Sequence, residues 1–144
     1  MIGMTQLRVR DAAVFLGVSE DTVRRWIEKG MLTASADDAG RKVLEGTEVA
    51  RLARELAVTP EAFGAAATSA RNRFVGLVTN VVMDTVMAQV ELQCGPFRVV
   101  SLMSSEAARE LGLEPGRVAS AVVKATQVVI EAEPDRRRRG AENA

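Results

Sequence analysis

The first half of the chain has the hydrophobic spacing of short helices. Val9, Ala12, Ala13 and Leu16 fall on one helical face. Gly17 follows them and predicts a helix end, because glycine readily adopts the left-handed conformation found there. This pattern predicts a first amphipathic helix that buries its alanine-rich side.

A second helix is predicted from Ser19, a good N-cap residue, to Gly30. Val23, Trp26 and Ile27 form its apolar face. Two helices joined by a short, glycine-containing turn within about 20 residues are typical of a helix-turn-helix. A turn over residues 37–40 then separates two short extended pieces, which predicts a small hairpin, and a third helix is expected to open at Glu45 or Thr47.

From Phe74 onward the pattern changes to β-branched and alternating residues. The predicted strands are 75–83, 86–93, 97–103, 118–123 and 127–131, with a short helix over 106–111 capped by Ser104 or Ser105. Five short strands with one helix after the third predict a small, partly open barrel of the OB type. The fold class expected for the whole chain is therefore α+β.

The change of pattern also predicts the domain organisation. We expect an N-terminal helical domain over 1–58, a connector over 59–67, a barrel domain over 68–134 and a basic, disordered tail over 135–144. The arginine run in that tail either attracts phosphate groups independently of sequence or only improves solubility.

Composition excludes several classes of function. The chain has 144 residues, a formal net charge of zero, no histidine and one cysteine, Cys94. A zinc site or catalysis by histidine or cysteine is therefore not expected, and we predict a binding protein rather than an enzyme. Gln6, Arg8, Arg10 and Asp11 interrupt the apolar residues at the N-terminus, so we do not expect a signal peptide there, and no apolar run approaches about 20 residues. The lone cysteine suits a reducing compartment, so we expect a cytoplasmic protein with no membrane partner.

Residues that would contact DNA lie on the predicted second helix and the hairpin. With Val23 turned inward, the start of that helix faces solvent, where a recognition helix reaches base edges. The candidates for contacts to bases and phosphates are Ser19, Thr22, Arg24, Arg25, Arg41 and Lys42. An alternative is that the adjacent arginines only form ion pairs with Glu20, Asp21 or Glu28 on a solvated face.

The segment VRDAAVFLGVSEDTVRRWIEKGML, followed by GRKV, resembles the winged helix-turn-helix of the excisionase and MerR-like group. The resemblance covers roughly residues 6–56. It implies that this half binds double-stranded DNA, or that it keeps the fold and serves only assembly.

Three polar insertions at strand ends suggest a site for a tetrahedral oxyanion. They are Ser69-Ala70-Arg71-Asn72, Ser104-Ser105 and Lys124-Ala125-Thr126. Together they offer two cations, hydroxyl groups and backbone N–H groups, which is the mixture that such an anion needs. Each insertion alone also has a structural explanation, as a linker charge, a helix cap or a surface charge.

The segments SARNRFVG and SEAARELGLEPGRVASAVVKATQVVI resemble the Mop (molbindin, or TOBE-type) molybdate-binding domain over about residues 68–133. The resemblance implies that molybdate or tungstate binds between subunits of a homo-oligomer, commonly a hexamer. The ligand residues it implies are Ser69, Ala70, Arg71, Ser104, Lys124, Ala125 and Thr126. Ala107 stands where the family often has a second hydroxyl, so Ser105 is a possible substitute.

These inferences predict a molybdate- or tungstate-responsive, DNA-binding transcriptional regulator. One alternative is an oxyanion storage or buffering protein whose first half serves assembly only. A third interpretation keeps DNA binding and treats the barrel purely as an oligomerising domain.

Overall fold

A computed structural model describes residues 5–58 and 67–133. The chain divides into two compact units, Met1–Thr59 and Pro60–Ala144. Most of the predicted connector and the predicted basic tail lie outside the described residues. Each unit is described by itself.

The first unit combines three helices with a small antiparallel sheet. Its helices are α1 (Val9–Leu16), α2 (Glu20–Glu28) and α3 (Gly46–Leu56), and its strands are β1 (Gln6–Arg8), β2 (Ala34–Ala36) and β3 (Lys42–Glu45). The strand order is β1-β3-β2. The predicted three helices and hairpin are present, whereas the three-residue strand β1 was not predicted from the sequence.

The apolar faces predicted for the helices of the first unit form a single core. Its buried residues are Val9, Ala12, Ala13, Val23, Leu32, Leu44, Val49 and Leu52. Trp26 and Ile27 pack against it, so the apolar face of α2 points inward as predicted. Ser19 caps α2 by accepting a hydrogen bond from the Thr22 N–H at 3.2 Å.

The second unit is a four-stranded antiparallel sheet with one short helix. Its elements are β4 (Asn72–Met83), β5 (Met87–Cys94), β6 (Phe97–Ser104), α4 (Ser105–Glu110) and β7 (Val118–Val123), followed by a 3₁₀ turn over Ala125–Gln127. The strand order is β6-β5-β4-β7. The arrangement is an OB-like half-barrel sheet.

The prediction of a fifth strand over 127–131 was wrong. The Gln127 N–H donates to the Lys124 carbonyl at 2.9 Å, so the backbone turns away after β7. Val129 and Ile130 are then 84% and 83% exposed and pair with no strand of the described chain. Their β-branched side chains favour an extended backbone, but a strand also needs a neighbouring strand with which to form hydrogen bonds.

A hydrogen-bonded corner joins the β4–β5 turn to α4. The Asp84 carboxylate accepts from the N–H groups of Val86 and Met87 at 2.8 and 2.7 Å. Ser105 donates through its hydroxyl to the Asp84 carbonyl and through its N–H to the Val86 carbonyl, both at 2.8 Å. These bonds hold the start of α4 against the hairpin.

Gly76 lies where β4 passes close to the end of β5. A methyl group there would overlap the Gln93 carbonyl oxygen and lie 2.7 Å from Cys94 Sγ. Cys94 belongs to the buried cluster of this unit, together with Val78, Val90 and Leu92. The position therefore requires the absence of a side chain rather than an unusual backbone conformation.

Within residues 5–58 and 67–133, no helix is long and apolar enough to cross a membrane.

Gly76→Ala should lower the free energy of unfolding of the second unit by about 1–3 kcal/mol, because a backbone carbonyl must move to admit the methyl group. Urea unfolding followed by circular dichroism measures the change. Val82→Thr, at an exposed position of the same strand, is the matched control. Equal stability of Gly76→Ala and the wild type would contradict the close packing described for β4 and β5.

Stability should also depend on the charge of Asp84. Hydrogen bonds from the Met87 and Val86 N–H groups lower the pKa of Asp84 below its ordinary value of 3.8. A carboxyl group with a lowered folded-state pKa stabilises the fold above the unfolded-state pKa, and this contribution disappears as the pH falls through the folded-state pKa.

Asp84→Asn removes the titrating group and leaves an oxygen that can accept the same bonds. Urea unfolding at neutral pH and in acid should therefore show the variant less stable than the wild type at pH 7, with the two converging as the pH falls through the lowered folded-state pKa of Asp84. A stability difference that stays constant across this range would contradict the assigned role of the carboxylate.

Candidate functional site

Two of the three polar insertions meet at one end of the second unit's sheet. Ser69-Ala70-Arg71 directly precedes β4, and Lys124-Ala125-Thr126 directly follows β7. The two strands are antiparallel neighbours, and Asn72 lies opposite Val123. Pairing of the strands therefore brings both insertions to the same edge, although they are far apart in the sequence.

The first insertion is ordered by contacts with Thr68. The Thr68 hydroxyl accepts from the Ala70 N–H at 3.2 Å, and Arg71 Nη1 donates to the Thr68 carbonyl at 3.1 Å. Ser69 and Arg71 are exposed, and Ala70 is half-buried. Arg71 is thus folded back over its own segment, with its charge still accessible to solvent.

The second insertion forms the start of the 3₁₀ turn, and its three residues are exposed. The first N–H groups of a helical turn have no acceptor within it, so those of Ala125 and Thr126 remain available to an anion. In the described parts of the chain, neither Lys124 nor Arg71 takes part in an ion pair. Two uncompensated cations therefore stand beside available N–H donors at this edge, which we call the β4–β7 edge.

The third insertion lies at the other end of the sheet. Ser104 ends β6 opposite Met87, where β5 begins, and Ala88 lies opposite Met83 at the end of β4. Strand β4 has 12 residues. Its length is about 36 Å at the usual rise of about 3.3 Å per residue. Within one chain, the register therefore places Ser104 and the β4–β7 edge at opposite ends of β4.

Ser104 and Ser105 differ in what their hydroxyl groups can offer. Ser104 is exposed and caps α4 by accepting from the Ala107 N–H at 3.1 Å, so its own hydroxyl proton is free to be donated. Ser105 is 1% exposed, and its proton is donated to the Asp84 carbonyl. A contact from Ser105 to an added anion would require this buried bond to break.

The structure distinguishes the two arginines of α2. Arg24 contacts Glu20 at 3.3 Å and Asp21 at 3.2 Å, which is the ion pairing that the sequence left open as an alternative. Arg25 instead donates to the Thr22 hydroxyl at 3.3 Å, and among the described residues it has no carboxylate partner. The charge of Arg25 is therefore the less neutralised of the two.

A row of hydrogen bonds supports Arg25 along the exposed face of α2. The Ser19 and Thr22 hydroxyls lie 2.9 Å apart, and Thr22 in turn contacts Arg25. Arg25 lies in the last turn of α2, and the row turns its guanidinium back toward Thr22 and the start of the helix. Ser19, Thr22 and Arg25 thus form one continuous polar face.

The hairpin residues also differ. Arg41 Nε lies 3.0 Å from Asp37 Oδ2, and the Arg41 N–H donates to Asp37 Oδ1 at 2.8 Å. The Arg41 backbone and guanidinium groups, with the Ala39 N–H, lower the pKa of Asp37. Arg41 therefore closes the turn of the hairpin, whereas Lys42 begins β3 and is exposed.

Sequence reasoning did not assign a role to two residues that shape the β4–β7 edge. Thr68 lies two positions before Ala70. A threonine hydroxyl often accepts a hydrogen bond from the N–H two residues later, so the sequence did indicate this contact. Asn72 Nδ2 donates to the Val123 carbonyl at 3.2 Å. That contact joins residues 51 positions apart, so no local pattern indicates it.

Among the described residues, no group of three or more histidine, cysteine, aspartate or glutamate side chains is placed to hold a metal ion. The chemistry of the β4–β7 edge is that of donors and cations. It is suited to an anion rather than to a metal cation.

Comparison with known proteins identifies the second unit. The model of the TOBE domain family matches residues 68–130. "Molybdenum-pterin-binding protein 2" of Clostridium pasteurianum is 38% identical over 63 residues, which cover 43% of this chain and 93% of that protein. The "probable molybdenum-pterin-binding protein" of Haemophilus influenzae is 39% identical over 66 residues, covering 45% of this chain and 96% of that protein.

A solved structure is similar over the same share of the chain. The molybdate binding protein from Sporomusa ovata is 28% identical, with a TM-score of 0.45, and the match covers 46% of this chain and all of that one. The sequence matches to the two relatives span nearly their whole length. Through its second half, the chain belongs to the TOBE domain family.

Proposed function

We propose that this protein binds molybdate or tungstate at the β4–β7 edge. The observation that carries the proposal is the meeting of two uncompensated cations, Arg71 and Lys124, with available N–H donors at one end of the sheet. The names of the two relatives, both molybdenum-pterin-binding proteins, support molybdenum chemistry in this family.

The proposed ligands of the tetrahedral dianion are of two kinds, charged donors and neutral donors. Arg71 and Lys124 supply charge, and charge-assisted hydrogen bonds are roughly twice as strong as neutral ones. The N–H groups of Ala125 and Thr126 and the hydroxyls of Ser69 and Thr126 supply directed neutral donors. The Ala70 N–H joins them if the anion replaces its present acceptor, the Thr68 hydroxyl.

We further propose that the site is completed by another copy of the chain. Ser104 has a free hydroxyl proton but lies at the far end of the sheet, so its contribution to the same anion requires a second subunit. A homo-oligomer, with a hexamer as the expected form, would provide this arrangement. Ser105 is left out of the proposed ligand set because its hydroxyl is buried and already donating.

The main role proposed is oxyanion binding for storage or buffering in the cytoplasm. The relatives consist almost entirely of the matched region, and their names describe binding rather than catalysis. Nothing in the proposed ligand set acts as a nucleophile with a general base. The proposal is therefore a binding protein and not an enzyme.

A second candidate function is DNA binding by the first unit, as a winged helix-turn-helix. The row of Ser19, Thr22 and Arg25 favours it. Arg25 has no carboxylate partner among the described residues and turns its guanidinium back toward the start of the helix, which suits it to phosphates or guanine. Lys42 on the hairpin would add a phosphate contact. Combined with the oxyanion site, this would give a molybdate-responsive transcriptional regulator.

Calorimetric titration of the full chain with molybdate, tungstate and sulfate tests the first proposal. Arg71→Ala and Lys124→Ala should each weaken molybdate binding by at least about tenfold, because each removes a charge-assisted donor. Arg109→Ala, at an exposed position of α4, is the matched charge control and should bind normally. If the wild type binds none of the three anions, oxyanion binding is excluded and only an oligomerising role remains for the barrel.

Gel shifts with a pool of random duplex DNA, followed by sequencing of the bound fraction, test the second candidate. Arg25→Ala should lower affinity by about tenfold or more, in line with about 1–3 kcal/mol for one arginine contact to a base. Arg24→Ala should have a smaller effect because Glu20 and Asp21 already hold that side chain. Unchanged DNA retention by Arg25→Ala would favour storage, and identical shifts with and without molybdate would exclude coupling.

A further inference from the structure

The two binding insertions at the β4–β7 edge are joined by one side chain. Asn72 Nδ2 donates to the Val123 carbonyl at 3.2 Å, in a partly buried contact. Asn72 directly follows Arg71, and Val123 directly precedes Lys124. The bond thus connects the residue that follows Arg71 to the residue that precedes Lys124.

The geometry of the peptide unit explains why this bond matters. The Val123 carbonyl and the Lys124 N–H belong to one planar group, so fixing the oxygen also fixes the plane from which the second insertion departs. On the other side, the backbone of Asn72 sets the direction in which Arg71 enters β4. A single hydrogen bond therefore constrains both insertions relative to each other.

The remaining contacts of the two insertions are local. The first is ordered by Thr68, and the second by the bond from the Gln127 N–H to the Lys124 carbonyl. Each of these bonds shapes one insertion without setting its separation from the other. Apart from the strand pairing itself, the Asn72 side chain is the link between them within the described chain.

We propose that Asn72 is the positioning residue that sets the spacing between the Arg71 and Lys124 insertions, and that this fixed spacing makes the site discriminate between tetrahedral oxyanions of different size. The inference rests on the proposed oxyanion binding. A preorganised site does not have to order its donors when the ligand binds, and donors held at one spacing cannot adapt equally well to anions of different size. Asn72 itself does not need to touch the anion.

The experiment compares Asn72→Ala with the wild type and with Asn80→Ala, at an exposed position of the same strand. Calorimetry with molybdate and with sulfate measures both affinity and their ratio. Asn72→Ala should bind molybdate about tenfold more weakly, as expected for one lost directed hydrogen bond, and the preference for molybdate over sulfate should fall. Asn80→Ala should change neither. Asn72→Thr keeps a strand-forming residue without the amide donor, and should behave like Asn72→Ala.

Amide hydrogen exchange without added anion gives an independent readout. In Asn72→Ala the Gln127 N–H, whose bond to the Lys124 carbonyl shapes the second insertion, should exchange faster, while the N–H groups of β5 and β6 should not change. Exchange that rises across the whole sheet would show a general stability effect and overturn the positioning role.

The possible failures are distinguishable. If the wild type binds neither anion, the proposed function itself fails, and the inference fails with it. If the wild type binds molybdate and both Asn72 variants keep its affinity and its preference over sulfate, only the inference about Asn72 is overturned.

Discussion

The antiparallel pairing of β4 with β7 is the constraint on which the candidate site depends. With Asn72 opposite Val123, the chain entering β4 and the chain leaving β7 must lie side by side. Arg71 and Lys124 therefore reach one edge without any direct contact between them. The repulsion between two nearby cations is tolerated because both are exposed to solvent, where charge interactions are strongly screened. An oxyanion placed between them would attract both cations and offset this repulsion.

The same sheet that brings two insertions together keeps the third one away. Ser104 is fixed at the opposite end because α4 is held to the β4–β5 turn by Ser105 and Asp84. The two neighbouring serines consequently differ. Ser104 caps α4 as an acceptor and keeps its hydroxyl proton free, whereas Ser105 is buried in the corner and donates its proton to the Asp84 carbonyl. A site that uses all three insertions is thus a property of an assembly, which agrees with the proposal that the anion lies between subunits.

In the first unit, local electrostatics separate residues that look equivalent. Arg24 and Arg25 are adjacent and exposed, but the carboxylates of Glu20 and Asp21 pair with Arg24. On the hairpin, Asp37 engages Arg41 and leaves Lys42 exposed. Such exposed ion pairs stabilise a fold only slightly, yet each occupies a cation that a DNA phosphate would otherwise attract. The proposed DNA surface is accordingly narrower than the set of basic residues in the sequence.

The sequence by itself determined the features that depend on neighbours along the chain. Helix spacing, the Ser19 cap and the turn over residues 37–40 are local, and the TOBE domain was recognisable from its motifs. The strand predicted over 127–131 failed because β-propensity does not show whether a partner strand is available, and β1 was missed because three residues carry no period. Only the tertiary structure decided which insertions meet, which of two serines has a free proton and which of two arginines is paired. These outcomes depend on strand register and on hydrogen bonds between distant residues, such as that from Asn72 to Val123, which no local pattern encodes.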